Sequence, residues 1–303
     1  MKILSFGEAV IDVVYLVKDL KLDRKNEILL KKISFGGPSL VASLFLSFYG
    51  FKPYFFTSLG RDKEGVRCKK FLERCGVKVI KLGNKTKKNL VILNNGVRTI
   101  FRESESEIDF SKLKISFLKN ANLIILDRHF SSVFKFLKNS KAEIIFDTST
   151  EISQRTLEVL KNINYHIIPI ESLKNFHKES LYKALKKAKK LIGDLIIVTC
   201  GRFGSFILEK NKILFFSSYK SRAIDPTGAG DVFRSAFAYG ILKNWPLYKT
   251  IDFANFVSAL HTEKLGNGDS LPRPKEIKTS KRGKNNFRFK DVVEFYKKIE
   301  LIQ

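Results

Sequence analysis

The chain has 303 residues and a mass of 34.8 kDa, enough for one large domain or two smaller ones at roughly 100–200 residues each. Its 44% hydrophobic and 28% charged residues exclude a disordered chain, and 18 Gly with 7 Pro exclude a collagen-like one. The formal charge of +26, from 56 Lys+Arg against 30 Asp+Glu, invites a nucleic-acid partner. The lysines are scattered, however, with no basic arm, zinc finger or RNA-binding motif, so a solvated surface around anionic ligands is the plainer reading.

In chain order, residues 2–6 are strand-like. Residues 35–50 open on a Gly-Gly-Pro turn and continue as an apolar helix. Residues 53–58 are aromatic and strand-like, and 63–75 form a helix ending at Gly76. The alternation then becomes clearer: strands at 122–126, 143–146, 165–170 and 195–199, helices at 130–139, 153–161 and 178–192. Such alternation implies right-handed crossovers and a mostly parallel sheet covered on both faces. After Thr199 the pattern changes to a hairpin, 205–208 and 213–216, about the turn Glu209-Lys210-Asn211-Lys212. Apolar helices follow at 232–243 and 247–265. Two segments break the alternation, 13–34 and 90–101, the second with a turn at Asn94-Asn95-Gly96. They predict a small antiparallel sheet outside the main layer. Residues 278–286 read as a basic linker and 288–299 as an amphipathic terminal helix.

Cys68, Cys75 and Cys200 are odd in number and include no Cys-x-x-Cys pair, which argues against a disulfide framework and a cysteine zinc site. A reducing cytoplasm fits. Glu8 and Asp12 interrupt what would be the apolar core of a secretory signal. The longest charge-free apolar stretch, 40–51, falls short of the about 20 residues of a membrane span. His129, His166, His177 and His261 are isolated, so no histidine metal site is expected.

Ligands of open parallel sheets bind beyond the carboxyl ends of the strands. Here those ends carry Asp127, Asp147 and Thr199-Cys200-Gly201. The strongest local signal is Asp225-Pro226-Thr227-Gly228-Ala229-Gly230-Asp231, which runs into an apolar helix. Its glycines let the backbone turn tightly, and the helix start leaves N–H groups unpaired at the positive dipole end. That arrangement suits a phosphate. An ordinary glycine loop with a first-turn carboxylate is the competing reading. No Walker-type run, dinucleotide fingerprint or protein-kinase set is present.

These residues resemble the ribokinase (PfkB) family of carbohydrate kinases. Asp225 to Phe233 is similar to the run that opens the family's catalytic helix. Ala236-Phe237-Ala238-Tyr239-Gly240 and Phe253-Ala254-Asn255 continue the likeness. Gly7-Glu8 to Asp12, Gly36-Gly37, Leu59-Gly60-Arg61-Asp62 and Thr199 to Gly204 resemble its other motifs, and the match spans about residues 1–275. The resemblance implies a single α/β domain, a three-layer α/β/α ribokinase-like fold with a mostly parallel central sheet. The two misfit segments would be its small β lid, and 278–303 a basic linker and terminal helix. It implies transfer of the γ-phosphoryl group of ATP, with Mg²⁺, to a hydroxyl of a sugar or polyol. By position Asp231 would be the base, and Gly228, Ala229 and Gly230 the anion hole. Thr199, Gly201, Gly204, Asp225, Thr227 and Asn255 would serve the nucleotide, and Asp12, Gly36 and Gly37 the acceptor. The chain departs from the family at Val41, where the family carries an acceptor-binding Asn. It departs again at Ile170-Glu171-Ser172-Leu173, where Glu171 is the only carboxylate left for the metal. A nucleoside kinase of the same fold, or a nucleic-acid-binding protein that kept the fold, are the alternatives. A small-molecule partner, no specific nucleic acid, no membrane and a homodimer through the lid are compatible with the resemblance.

Overall fold

A computed structural model of the protein describes residues 1–94, 97–102, 108–137, 140–148, 152–176, 180–193, 195–209 and 212–298. The turns expected at 94–96 and 209–212, the helix ends at 138–139, 178–179 and 299, and His177 fall wholly or partly outside them. The elements are β1 (Ile3–Phe6), β2 (Val10–Val17), β3 (Ile28–Gly36), α1 (Pro38–Phe48), β4 (Tyr54–Ser58), α2 (Lys63–Arg74), β5 (Lys78–Gly83), β6 (Lys87–Asn94), β7 (Val97–Arg102), β8 (Leu123–Asp127) and β9 (Glu143–Asp147). They continue with α3 (Gln154–Leu160), β10 (His166–Pro169), α4 (Leu181–Ile192), β11 (Ile196–Thr199), β12 (Gly204–Glu209), β13 (Lys212–Ser217), α5 (Ala229–Leu242), α6 (Leu247–His261), α7 (Pro274–Thr279) and α8 (Phe289–Lys298).

A five-stranded parallel sheet, β5-β4-β1-β8-β9, meets a four-stranded sheet, β10-β11-β12-β13, through a parallel bridge between Ile145 and Tyr165. Alternate side chains of each strand enter opposite cores, as the pleat demands. Ile3, Leu123 and Ile125 join the core under α1, α2, α5 and α6. Leu4, Phe6, Ile124 and Leu126 join the core that also takes residues of α3, α4 and α8. Helix α4 shows how sequence sets this: Leu181, Ala184, Leu185, Ala188 and Ile192 form its buried stripe. Ser180 accepts the Lys183 N–H at its start, and Gly193 at φ +129 ends it.

The lid differs from the expected one in extent and direction. It is a four-stranded sheet ordered β3-β2-β6-β7, and its central pair, β2 and β6, is parallel. The whole α1-β4-α2-β5 stretch lies between those two strands, so the chain returns to the lid from the same end. The strands also begin earlier than the apolar pattern suggested, at Val10 and Lys87. Asp12 and Lys87, just outside the expected segments, lie inside strands and face polar partners. Two further differences are local. Residues Arg128–Phe136 form a 3₁₀ helix in place of the expected α-helix; Ser, Val, Phe and His there are weak helix formers. Strand β5 went unrecognised because Lys78 and Lys81 interrupt the apolar pattern of an edge strand that is only half-buried.

Candidate active site

The carboxyl ends of β8, β9, β10 and β11, the start of α5 and the underside of the lid enclose one cavity of about 320 Å³. Asp127, Asp147, Pro169 and Thr199 come from the strand ends; Thr227 to Asp231 come from the loop and first turn of α5. Asp12, Lys87, Asn89 and Arg102 come from the lid. Strand register explains the lid face: Ser34, Asp12, Asn89 and Arg102 stand opposite one another across its four strands. One polar row therefore crosses the sheet. Asn89 Nδ2 donates to Asp12 Oδ1 at 3.0 Å.

The glycine loop is held from behind. Asp225 is buried and accepts the N–H groups of Thr227 and Gly266, both at 2.9 Å. On α6, Ser258 Oγ donates to Ala229 O at 2.7 Å, and His261 Nε2 meets Thr227 O at 2.8 Å. Burial pushes the His261 imidazole down, so the ring stays neutral and Nε2 carries the proton. Gly228 adopts φ +77, a left-handed conformation that costs other L-residues about 1–2 kcal/mol. The N–H groups of Gly228 and Gly230 have no acceptor among the described residues. Ala229 differs: its N–H donates to Pro226 O at 3.2 Å and closes the turn into α5. Of the three N–H groups expected to form an anion hole, that of Ala229 is thus taken up by the turn, and those of Gly228 and Gly230 remain open.

Asp231 lies in the first turn of α5 and lines the cavity. Arg234, one turn later, reaches Asp231 Oδ1 at 2.9 Å and Asp147 Oδ1 at 2.8 Å; the three side chains are 17%, 12% and 9% exposed in the order Asp231, Arg234, Asp147. A second polar group sits where the lid strands β2 and β6 begin. Glu8 pairs with Lys87 with both side chains buried, and His129 Nε2 stands 3.3 Å from the same Glu8 oxygen. Asp127 accepts the N–H groups of Glu8 and His129. Burial, then the negative charge of Glu8, pushes Asp127 well above the usual carboxylate range.

The remaining motif residues divide into wall and scaffold. Gly37 lines the cavity at φ +104 at the start of α1, while Gly36 sits behind Asp12. Thr199 and Thr227 are on the wall. Gly201 and Gly204, at φ +52 and +115, shape the neighbouring turn, where a Cβ on Gly204 would overlap Phe216 O. Asn255 is buried away from the cavity, its Nδ2 bonded to Ser205 Oγ at 3.0 Å and Phe216 O at 3.3 Å. Val41 is fully buried in the core. Glu171, expected near a metal, is outside the cavity lining; it lies beside Tyr296 and Cys200, whose acidities burial and its negative charge suppress. Among the described residues no group of three or more His, Cys, Asp or Glu is placed to hold a metal. Sequence reasoning missed Arg234, Lys87 and Asn267. Only Asn267 carried a local sign, as a polar residue between two glycines.

The comparisons agree with this geometry. Residues 1–274 match the family model described as pfkB family carbohydrate kinase. A ribokinase of Lactococcus lactis is 27% identical over 169 residues, a stretch covering 53% of this chain and 54% of that one. A Pyrococcus horikoshii protein assigned as a sugar kinase is 27% identical over 296 residues, covering 91% of this chain and 94% of its own. The structure of Arabidopsis thaliana ribokinase complexed with ribose and ATP superposes with a TM-score of 0.73 at 22% identity, over 91% of this chain and 96% of that one. No helix among the described residues is long and apolar enough to cross a membrane. With the motif at the start of α5, the lid above it and a family match over most of its length, the chain belongs to the pfkB family of carbohydrate kinases, phosphotransferases whose acceptor is an alcohol.

Proposed function

We propose that the protein transfers the γ-phosphoryl group of ATP to a hydroxyl of a sugar or polyol, with Asp231 taking the hydroxyl proton. The observation that carries this reading is the meeting, in one cavity, of Asp231, the unpaired Gly228 and Gly230 N–H groups and the lid's Asp12. Phosphoryl transfer asks for positioning and charge neutralisation more than covalent chemistry. The two N–H groups at the positive end of α5 would face the transferring group, and Asp12 would hold the acceptor. A nucleoside acceptor fits less well: no Phe, Tyr or Trp lines the cavity among the described residues, which leaves a nucleobase only the smaller His129 ring and the arginine planes to stack on.

Mg²⁺ is held largely by substrate phosphates and water, with one or two carboxylates, so it does not need the group of three protein ligands that is absent among the described residues. Asp147 on the cavity wall would be its protein ligand, and the ion would neutralise phosphate charge. Asp231→Asn tests the reading. The change is nearly isosteric and leaves Arg234 its bond to Asp147. Turnover should fall by about 10²–10⁴ while nucleotide affinity and melting temperature stay near wild type. Near-normal turnover in a variant that melts earlier would reduce Asp231 to a helix-start carboxylate.

A further inference from the structure

Asn267 follows α6 in a Gly-Asn-Gly run and is 4% exposed. Its backbone is fixed: its N–H donates to Ser34 Oγ at 2.8 Å, across to the lid, and its carbonyl accepts the Ser270 N–H at 3.0 Å. Its side chain stands between the two glycine turns of the site. On one side a Cβ on Gly228 would overlap its Oδ1. On the other, the point where a Gly36 Cβ would stand lies 3.0 Å from Asn267 Nδ2 and 2.7 Å from Asp12 Oδ2. That point is a bond length from Gly36 Cα and closed to a ligand atom, but it sets the two polar atoms no more than 5.7 Å apart on the cavity wall, and the missing Cβ leaves them uncovered. A hydroxyl on the cavity side of Gly36, between the two, would accept from Asn267 Nδ2 and donate to Asp12 Oδ2. Water is not the only group of that size and polarity; an alcohol on a substrate is another.

A second observation points the same way. The Oδ1 atoms of Asn267 and Asn89 are both buried and have no hydrogen-bond partner. Asn89 must present Nδ2 to Asp12, because a carboxylate only accepts, so its amide cannot be turned round to relieve the orphan. Two unsatisfied buried amide oxygens beside one carboxylate cost stability. Retaining them makes sense where a ligand uses the amides.

Resting on the kinase reading, we propose that Asn267 is an acceptor-binding residue, its amide completing with Asp12 the cradle for one hydroxyl of a polyhydroxy acceptor. Wild type and Asn267→Ala are assayed with ATP and Mg²⁺ on D-ribose, D-fructose, D-glucose, myo-inositol and adenosine, then on monodeoxy analogues of the best acceptor. In the variant, kcat/KM for the best acceptor should fall about 10- to 100-fold, with KM for ATP within about twofold. The melting temperature should equal or exceed that of wild type, because an unsatisfied group is removed. One deoxy analogue should be penalised in wild type but not further in the variant, which marks the hydroxyl concerned. Unchanged acceptor kinetics would overturn the inference and leave the kinase reading standing. Loss of stability together with equal loss for both substrates would overturn it too, making Asn267 a packing residue. If wild type phosphorylates none of the five compounds, the sugar or polyol kinase reading falls and takes the inference with it. Should the alanine variant fail to fold, Asn267→Ser, too short to reach a hydroxyl held by Asp12, carries the same expectations.

Discussion

Arg234 is the clearest case of one residue serving two others. Its guanidinium joins Asp231 on α5 to Asp147 at the end of β9, so the expected base is oriented by a strand-end carboxylate it could not otherwise touch. His166 illustrates the cost of burying a titratable side chain without a function. It lies on β10, 2% exposed, with Nδ1 unpartnered, and burial pushes it down to about 4. In the unfolded chain a histidine titrates near 6.5. Above that pH both states are neutral and the residue adds no slope. Between about 6.5 and 4 the unfolded state binds a proton that the folded state does not, so stability falls as pH falls. Asp127, shifted upward, has the opposite effect: its contribution is present at low pH and is lost as pH rises through its folded value. The comparison of wild type with His166→Phe isolates the histidine. Urea unfolding at several pH values from 7 to 4 should show the stability difference moving in favour of the variant as pH drops; parallel curves would clear His166 of the effect.

At the scale of elements, the site is a lid pinned to a helix start. Lys87 on β6 pairs with Glu8, Lys32 on β3 pairs with Asp269 at 3.1 Å, and Ser34 joins Asp269 and Asn267. The lid is thereby tied both to the loop after β1 and to the segment packed against Gly228. The two loop glycines should therefore respond differently to a methyl group. Gly228→Ala meets a left-handed φ and the Asn267 side chain at once. It should lose about 1–2 kcal/mol from backbone conformation alone, and turnover with it. Gly230 lies in ordinary helical backbone, and a Cβ there would come no closer than 3.8 Å, to Arg234 Nη2. Gly230→Ala should keep wild-type stability. Chemical denaturation and turnover of the pair check this; equal damage from both would mean that backbone conformation at 228 is not what matters. Helix α8 packs on the other side of the sheet, where Phe203 meets Phe287, Phe295 and Tyr296 and covers the turn at Gly201.

For the whole molecule the question is the charge. Several surface cations are paired, as in Lys264–Glu276, Arg282–Glu263 and Lys284–Asp252, but a net +26 remains. Such a field attracts any polyanion. Because the lysines are scattered along the sequence, duplex DNA should bind weakly, with Kd on the order of 10⁻⁴–10⁻⁶ M at physiological salt and a steep salt dependence. Fluorescence anisotropy across a salt series measures it. Sequence-specific binding in the nanomolar range at that salt would return the nucleic-acid reading to first place.

What the sequence determined by itself is what depends on near neighbours. Alternating β and α periods announced the layered sheet, and two stretches that broke the period announced the lid. Gly228 before an apolar run marked the tight entry to α5, and Asp231 followed from its place in that first turn. These features rest on backbone conformation and on contacts within about four residues along a helix. Tertiary structure decided which motif residues line the cavity. Thr199 and Thr227 do, whereas Asp225 and Asn255 brace the loop and the hairpin and Glu171 lies beside α8. It also supplied partners that no local pattern could name: Arg234 with Asp147, Lys87 with Glu8, and Asn267 with a lid residue 233 positions away. Such pairs exist because the parallel sheet gathers strand ends from distant parts of the chain at one edge, where charged groups removed from water must find one another.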